Sequence, residues 1–162
     1  MLLVAVTMWV GPVACLWVNE SALVFQAHRS RVPRLVPGSG LLELRTSGGF
    51  RLDALLFPYD GEAEYWILFC PPSGLTIHGY VLRRHLESLR TAGFNVFAFD
   101  YRGFGRNSGI PSEAGLYEDA LTAYRHLTDE LGVAPSRINP LQPCARGSSG
   151  DPGTAITSRP AS

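Results

Sequence analysis

The chain contains no lysine. All fourteen of its basic residues are arginine, and fourteen acidic residues bring the formal net charge to zero. With no excess of either sign, no overall field draws the protein to nucleic acid or to an anionic surface. The arginines are scattered rather than gathered into the stripe that nucleic-acid binding requires. Cysteine is scarce as well. Cys15, Cys70 and Cys144 lie far apart, match no metal-ligand spacing and, being three, cannot all pair within the chain. No metal site, no cofactor and no nucleic-acid partner is therefore expected. No internal repeat is present. What remains is an ordinary composition, 46% hydrophobic over 162 residues, which suits a single domain and is neither disordered nor fibrous.

Residues 2–18 form a nearly continuous apolar run, at the lower limit of what spans a bilayer and also compatible with a signal-peptide core. The Lys or Arg that normally precedes such a core is missing. Val13-Ala14-Cys15 resembles the end of a lipoprotein cleavage site, but Pro12 stands where that signal wants Leu. A buried helix here would be kinked at Gly11-Pro12. Residues 1–28 are therefore expected to be a membrane anchor or an uncleaved signal, with secretion as the alternative. Arg29, Arg31 and Arg34 follow it and favour a cytoplasmic-facing orientation by the positive-inside tendency. Residues 29–40, RSRVPRLVPGSG, have two prolines, two glycines and no usable period, the mark of a linker.

From residue 41 the pattern changes. Leu42 and Leu44, then Phe50, Leu52, Ala54 and Leu56, alternate with other residues around Ser47-Gly48-Gly49, which predicts a β-hairpin with a glycine turn. YWILFC (65–70) and FNVFAF (94–99) are short unbroken apolar runs, as expected of strands covered on both faces. Between them, residues 78–92 repeat apolar residues at Val81, Leu82, His85 or Leu86, and Leu89, with Arg83, Arg84, Glu87 and Arg90 on the other side. Gly93 supplies the stop of this amphipathic helix. Ser112 with Glu113 opens a second helix, whose stripe is Leu116, Ala120, Tyr124, Leu127 and Leu131 and which Gly132 closes. Strand, helix, strand, helix predicts right-handed crossovers and a mainly parallel sheet. A third buried strand should follow at Arg137-Ile138. Of the 24 residues from Asn139 to Ser162, however, eleven are Pro, Gly or Ser, so neither strand nor helix is expected there.

The segment DYRGFGRNSG (100–109), with PSEAGLYEDALTAYRHL (111–127) and GVAPSRI (132–138), resembles the α/β-hydrolase superfamily, and is most similar to its serine aminopeptidase-like and membrane-anchored esterase and lipase branch. The resemblance covers residues 41–138. It implies an α/β class: an incomplete α/β-hydrolase fold in which an N-terminal β-hairpin leads into a mainly parallel sheet with flanking helices. It also implies hydrolysis of small-molecule ester, thioester or peptide substrates through an acyl-serine in the intact family. In that family a strand beginning near Ile138 delivers the G-x-S-x-G elbow, and the acid and histidine of the triad follow it. No G-x-S-x-G follows here; RGSSG (146–150) has one residue too few between its glycines. No catalytic residue is assigned. His28, His78, His85 and His126 have no matched nucleophile and are read as structural, the last of them preceding the missing elbow.

Similar enzymes end the first buried strand with a His-Gly loop whose N–H groups stabilise an oxyanion. This loop reads Pro71-Pro72-Ser73-Gly74, and prolines donate nothing, so Ser73 and Gly74 are the oxyanion-hole candidates. Asp100, Arg102, Gly103 and Gly105 are expected to build a structural turn near the site, the glycines allowing a tight bend and the charged pair tying loops together. The expected organisation is thus an anchor (1–28), a linker (29–40), a partial hydrolase domain (41–138) and a disordered or out-of-frame tail (139–162). The expected function is that of a truncated hydrolase inactive as given. The alternative is a non-catalytic, membrane-tethered binding module.

Overall fold

Alternating side chains sort the central strands onto two faces, and a helix covers each. The computed structural model describes Val10, residues 12–15, Trp17, residues 40–72 and residues 74–141. Strands β1 (Gly40–Arg45) and β2 (Arg51–Phe57) form the antiparallel hairpin, pairing Arg45 with Arg51. Its turn is closed by the Gly49 N–H donating to the Thr46 carbonyl at 2.9 Å, with Gly49 at φ 80°. Strand β3 (Trp66–Phe69), helix α1 (Tyr80–Thr91), strand β4 (Asn95–Phe99), helix α2 (Glu113–Arg125) and strand β5 (Ile138–Leu141) follow. The sheet order is β1-β2-β4-β3-β5, with β4, β3 and β5 parallel and β1 and β2 antiparallel to their neighbours.

Leu68 and Cys70 face one side with Phe97 and Phe99, where Ala120, Ala123 and Leu127 of the α2 segment cover them. Ile67 and Phe69 face the other side with Val96 and Ala98, beneath Leu82 and Leu86 of α1. Each fully buried Leu or Phe here contributes about 1.5–3 kcal/mol of apolar burial. The hydroxyl of Ser112 caps α2 by accepting from the Gly115 N–H at 3.2 Å.

The helices depart from the sequence pattern at charged positions. On α1, Val81 is 70% exposed while Arg83, expected on the wet side, is buried, because its Nε donates to the Ile77 carbonyl at 3.1 Å. On α2 the buried residues are Gly115, Asp119, Ala120 and Ala123. A π-helical turn, His126–Glu130, then adds residues to the last turn, and Leu131 falls off the expected stripe and is exposed.

Strand β5 corrects a second expectation. Asn139, Pro140 and Leu141 were expected to lack regular structure, yet they pair in register with Ile67, Leu68 and Phe69. Among the described residues β5 is an edge strand bonded to β3 alone, and an edge position tolerates a proline that a central strand would reject. Residues 142–162 lie outside the described residues, as do the linker residues 29–39. Of the apolar run 2–18, Val10, residues 12–15 and Trp17 are described and helical. No helix among the described residues is long and apolar enough to cross a membrane.

Candidate functional site

Strands β3 and β4 run parallel and end together, so the loops leaving them meet at the carboxyl edge of the sheet, where open α/β sheets bind ligands. The contact between them is built on Asp100, the first residue after β4. Its Oδ1 accepts the Ile77 N–H at 2.8 Å, tying the β3–α1 loop to the end of β4. Its own N–H donates to the Asp53 carbonyl of β2 at 2.9 Å. The side chain of His78 fills the space between these two aspartates. Its Nε2 lies 3.0 Å from Asp53 Oδ2 and 4.0 Å from Asp100 Oδ2. Arg106 reaches in from the β4–α2 loop, its Nε 3.2 Å from Asp53 Oδ2. Asn107 completes the frame by accepting the Asp53 N–H at 2.9 Å and donating to the Asp100 carbonyl at 2.5 Å.

Asp53, His78 and Asp100 are all buried. Burial pushes the Asp100 carboxyl up from 3.8 to about 7, opposed by the Ile77 N–H and reinforced by the charge of Asp53. Burial also lowers the His78 imidazole below its ordinary value, against the pull of Asp53.

Arg102 is only two residues from Asp100 but belongs to a different assembly. Its backbone N–H and its Nε donate to Asp119 of α2 at 2.8 and 2.9 Å, and its Nη2 reaches Glu118 Oε2 at 2.8 Å. The guanidinium also stacks over Phe50, 4.4 Å from the ring centre. Glu118 in turn accepts from the Gly48 N–H at 2.8 Å and from the Ser47 hydroxyl. The Ser47 hydroxyl first, and then Arg102, hold the Glu118 carboxyl down at about 2. One ion network therefore joins the hairpin turn, the β4–α2 loop and helix α2.

Gly103 and Gly105 have φ of 78° and 57°, in the left-handed region. A Cβ at Gly103 would lie 2.7 Å from Pro111 Cδ, and one at Gly105 would fall on Asp100 Oδ2, so both positions exclude any side chain on two grounds. Gly74 is exposed, at φ 85°, in the β3–α1 loop. Ser73, His28 and the RGSSG string lie outside the described residues. His85 packs edge-on against Phe69, and His126 stacks on Phe97 and pairs with Glu130 at 3.0 Å, so neither joins the carboxyl-edge cluster. No group of three or more His, Cys, Asp or Glu among the described residues could hold a metal ion.

The sequence reading missed the grouping of His78 with Asp53. One signal was available. Asp53 stands in the otherwise apolar run Leu52 to Phe57, on the face it shares with Leu55 and Phe57, and a buried acid needs a partner.

No family model matches the chain. An uncharacterized protein of Mycobacterium tuberculosis, MT2364, is 29% identical over 136 residues, covering 79% of this chain and 46% of that protein. The alpha/beta hydrolase domain-containing protein 17B of Xenopus tropicalis is 30% identical over 94 residues, covering 58% of this chain and 32% of its own. Among solved structures, an alpha-beta hydrolase from Vibrio vulnificus superposes with a TM-score of 0.62 at 24% identity, over 80% of this chain and 47% of that one. The Pyrococcus furiosus esterase Pf2001 gives a TM-score of 0.58 at 20% identity, over 70% and 46%. The chain thus spans less than half the length of these proteins. The likeness to these solved structures is one of fold, and residues 40–141 form a five-stranded mixed sheet with flanking helices that matches an incomplete α/β-hydrolase fold.

Proposed function

We propose that this 162-residue chain is a hydrolase scaffold without its acyl-transfer centre: it keeps the layers that flank the active site of an ester-, thioester- or peptide-cleaving relative and does not itself form an acyl-serine. One observation carries this reading. Strand β5, the element to which a nucleophile elbow attaches in enzymes of this fold, is in place beside β3, and the sequence runs on from Leu141 as QPCARGSSG. Acyl transfer needs a serine, a base within hydrogen-bond reach and a carboxylate orienting that base. His78 has carboxylate partners in Asp53 and Asp100, but it is buried between them, on the wrong side of the missing elbow in chain order.

The expected result is that folded protein takes up no fluorophosphonate serine probe, under conditions where an intact esterase labels fully. Stoichiometric labelling at any serine would sink the proposal.

The second reading, a membrane-tethered binding module, is favoured by a separate observation. Val10, Val13 and Trp17 are helical and 58%, 60% and 80% exposed, leaving large apolar side chains uncovered ahead of the domain. In this reading residues 1–28 hold the domain at a bilayer. The full chain should float with phosphatidylcholine vesicles and a chain lacking residues 1–28 should not; equal behaviour of the two would remove the tether.

A further inference from the structure

We propose that Asp53, His78 and Asp100 form a one-proton latch at the carboxyl edge of the sheet: a single acid proton held in this buried cluster keeps together the two loops that it ties, and its loss loosens them. The argument starts from charge. Two aspartates sit opposite one another across the β2–β4 ladder, both buried. Asp53 has a cation, because Arg106 Nε lies 3.2 Å from its Oδ2, and it also receives His78 Nε2 at 3.0 Å. Asp100 is less well served. Oδ1 accepts one backbone N–H, while Oδ2 is buried without a hydrogen-bond partner, and the imidazole is 4.0 Å away. An ionised carboxylate with a bare, buried oxygen is costly, whereas a carboxylic acid in the same place is not.

The groups that face His78 and Asp100 come from every element packed there. They are Asp53 from β2, Arg106 from the β4–α2 loop, and Arg83 from α1, whose Nε donates to the Ile77 carbonyl beside His78. With Arg106 paired to Asp53 and Arg83 directed to the Ile77 carbonyl, the pair Asp100 and His78 is itself neutral only if it holds one acid proton. Burial raises Asp100 and lowers His78, and both shifts place that proton on the carboxyl.

The two groups act on stability with opposite signs. Between 3.8 and about 7 the folded chain keeps an Asp100 proton that the open chain has lost, so this contribution falls as pH rises through that window. His78 behaves in reverse. Below 6.5 the open chain gains a proton that the folded imidazole refuses, so its contribution is lost as pH falls. In the wild-type chain the two act against each other below 6.5, so a plain stability profile isolates neither. Asp100→Asn separates them, since the amide keeps an acceptor for the Ile77 N–H and imitates the protonated acid.

The test compares the full chain with its D100N variant by amide exchange at Ile77, corrected for the intrinsic pH dependence of exchange, together with infrared spectra of the carboxyl region. Relative to D100N, the opening equilibrium of the wild type should grow about a hundredfold between about pH 5 and pH 8. A protonated carboxyl C=O band should be present at mildly acid pH in the wild type and absent from D100N. If D100N does not fold, disappearance of the wild-type band as pH rises through neutrality answers the same question. A missing band, or a wild-type to D100N ratio that stays flat over this range, overturns the proposal.

Discussion

Replacing Asp119 by alanine should lower the unfolding free energy by about 3–5 kcal/mol, enough to unfold a marginal domain. Asp119 is fully buried, and it is the main partner of an Arg102 side chain that is itself only 7% exposed. Truncating it leaves a guanidinium inside the protein with Glu118 as its remaining anion, and frees the Arg102 backbone N–H that Asp119 also accepts. The damage should spread along the network, because Arg102 is what Glu118 leans on while it holds Ser47 and Gly48 of the hairpin turn. Urea unfolding followed by far-ultraviolet circular dichroism is the measurement. A loss below about 1 kcal/mol, the scale of an exposed ion pair, would show that the network is not a structural tie.

Gly105→Ala is the second substitution with a large expected effect, and Gly132→Ala is its control. Both glycines have positive φ, 57° and 65°, so both variants bear the left-handed penalty of about 1–2 kcal/mol. Only one bears more. The space around Gly132 is open, whereas a methyl group at Gly105 would occupy the position of Asp100 Oδ2 and come 3.5 Å from His78 Cδ2. Forcing Asp100 aside breaks its hold on the Ile77 N–H and disturbs the buried cluster. G105A should therefore exceed G132A in lost stability by at least about 2 kcal/mol, the scale of overpacking plus a broken buried hydrogen bond. Equal losses would mean that the turn yields without involving the cluster.

These two sites mark the boundary of what the sequence reveals. The strands YWILFC and FNVFAF, the glycine hairpin and both helices follow from hydrophobic period and punctuation, since local pattern and tertiary burial agree at those positions. Two of the misses fall where a polar contact overrides the pattern. Arg83 and Asp119 look like solvent-facing residues on their helices, and Arg83 bonds the Ile77 carbonyl in the preceding loop while Asp119 holds Arg102 of the β4–α2 loop. Leu131 is lost to the π-helical turn, which changes the residue count of the last turn with no residue to announce it. His78 looked like an isolated histidine near a helix start. Its partners are at positions 53 and 100, and only the β2–β4 pairing brings those two together. Strand β5 was hidden because Asn and Pro lower strand propensity, while register with β3 and an edge position suffice to form it.

The numbering of the buried cluster has a consequence for how the chain acquires its shape during synthesis. Asp53, His78, Asp100, Arg106 and Asn107 all precede α2, and the pairing that brings Asp53 to Asp100, β2 with β4, uses no residue of β5. Strand β5 docks on β3 only after the chain has travelled from Trp66 to Ile138, the kind of distant pairing that forms slowly. A nascent chain emerging in order from the ribosome can therefore fasten its carboxyl-edge loops first and add its last strand to a crevice already built.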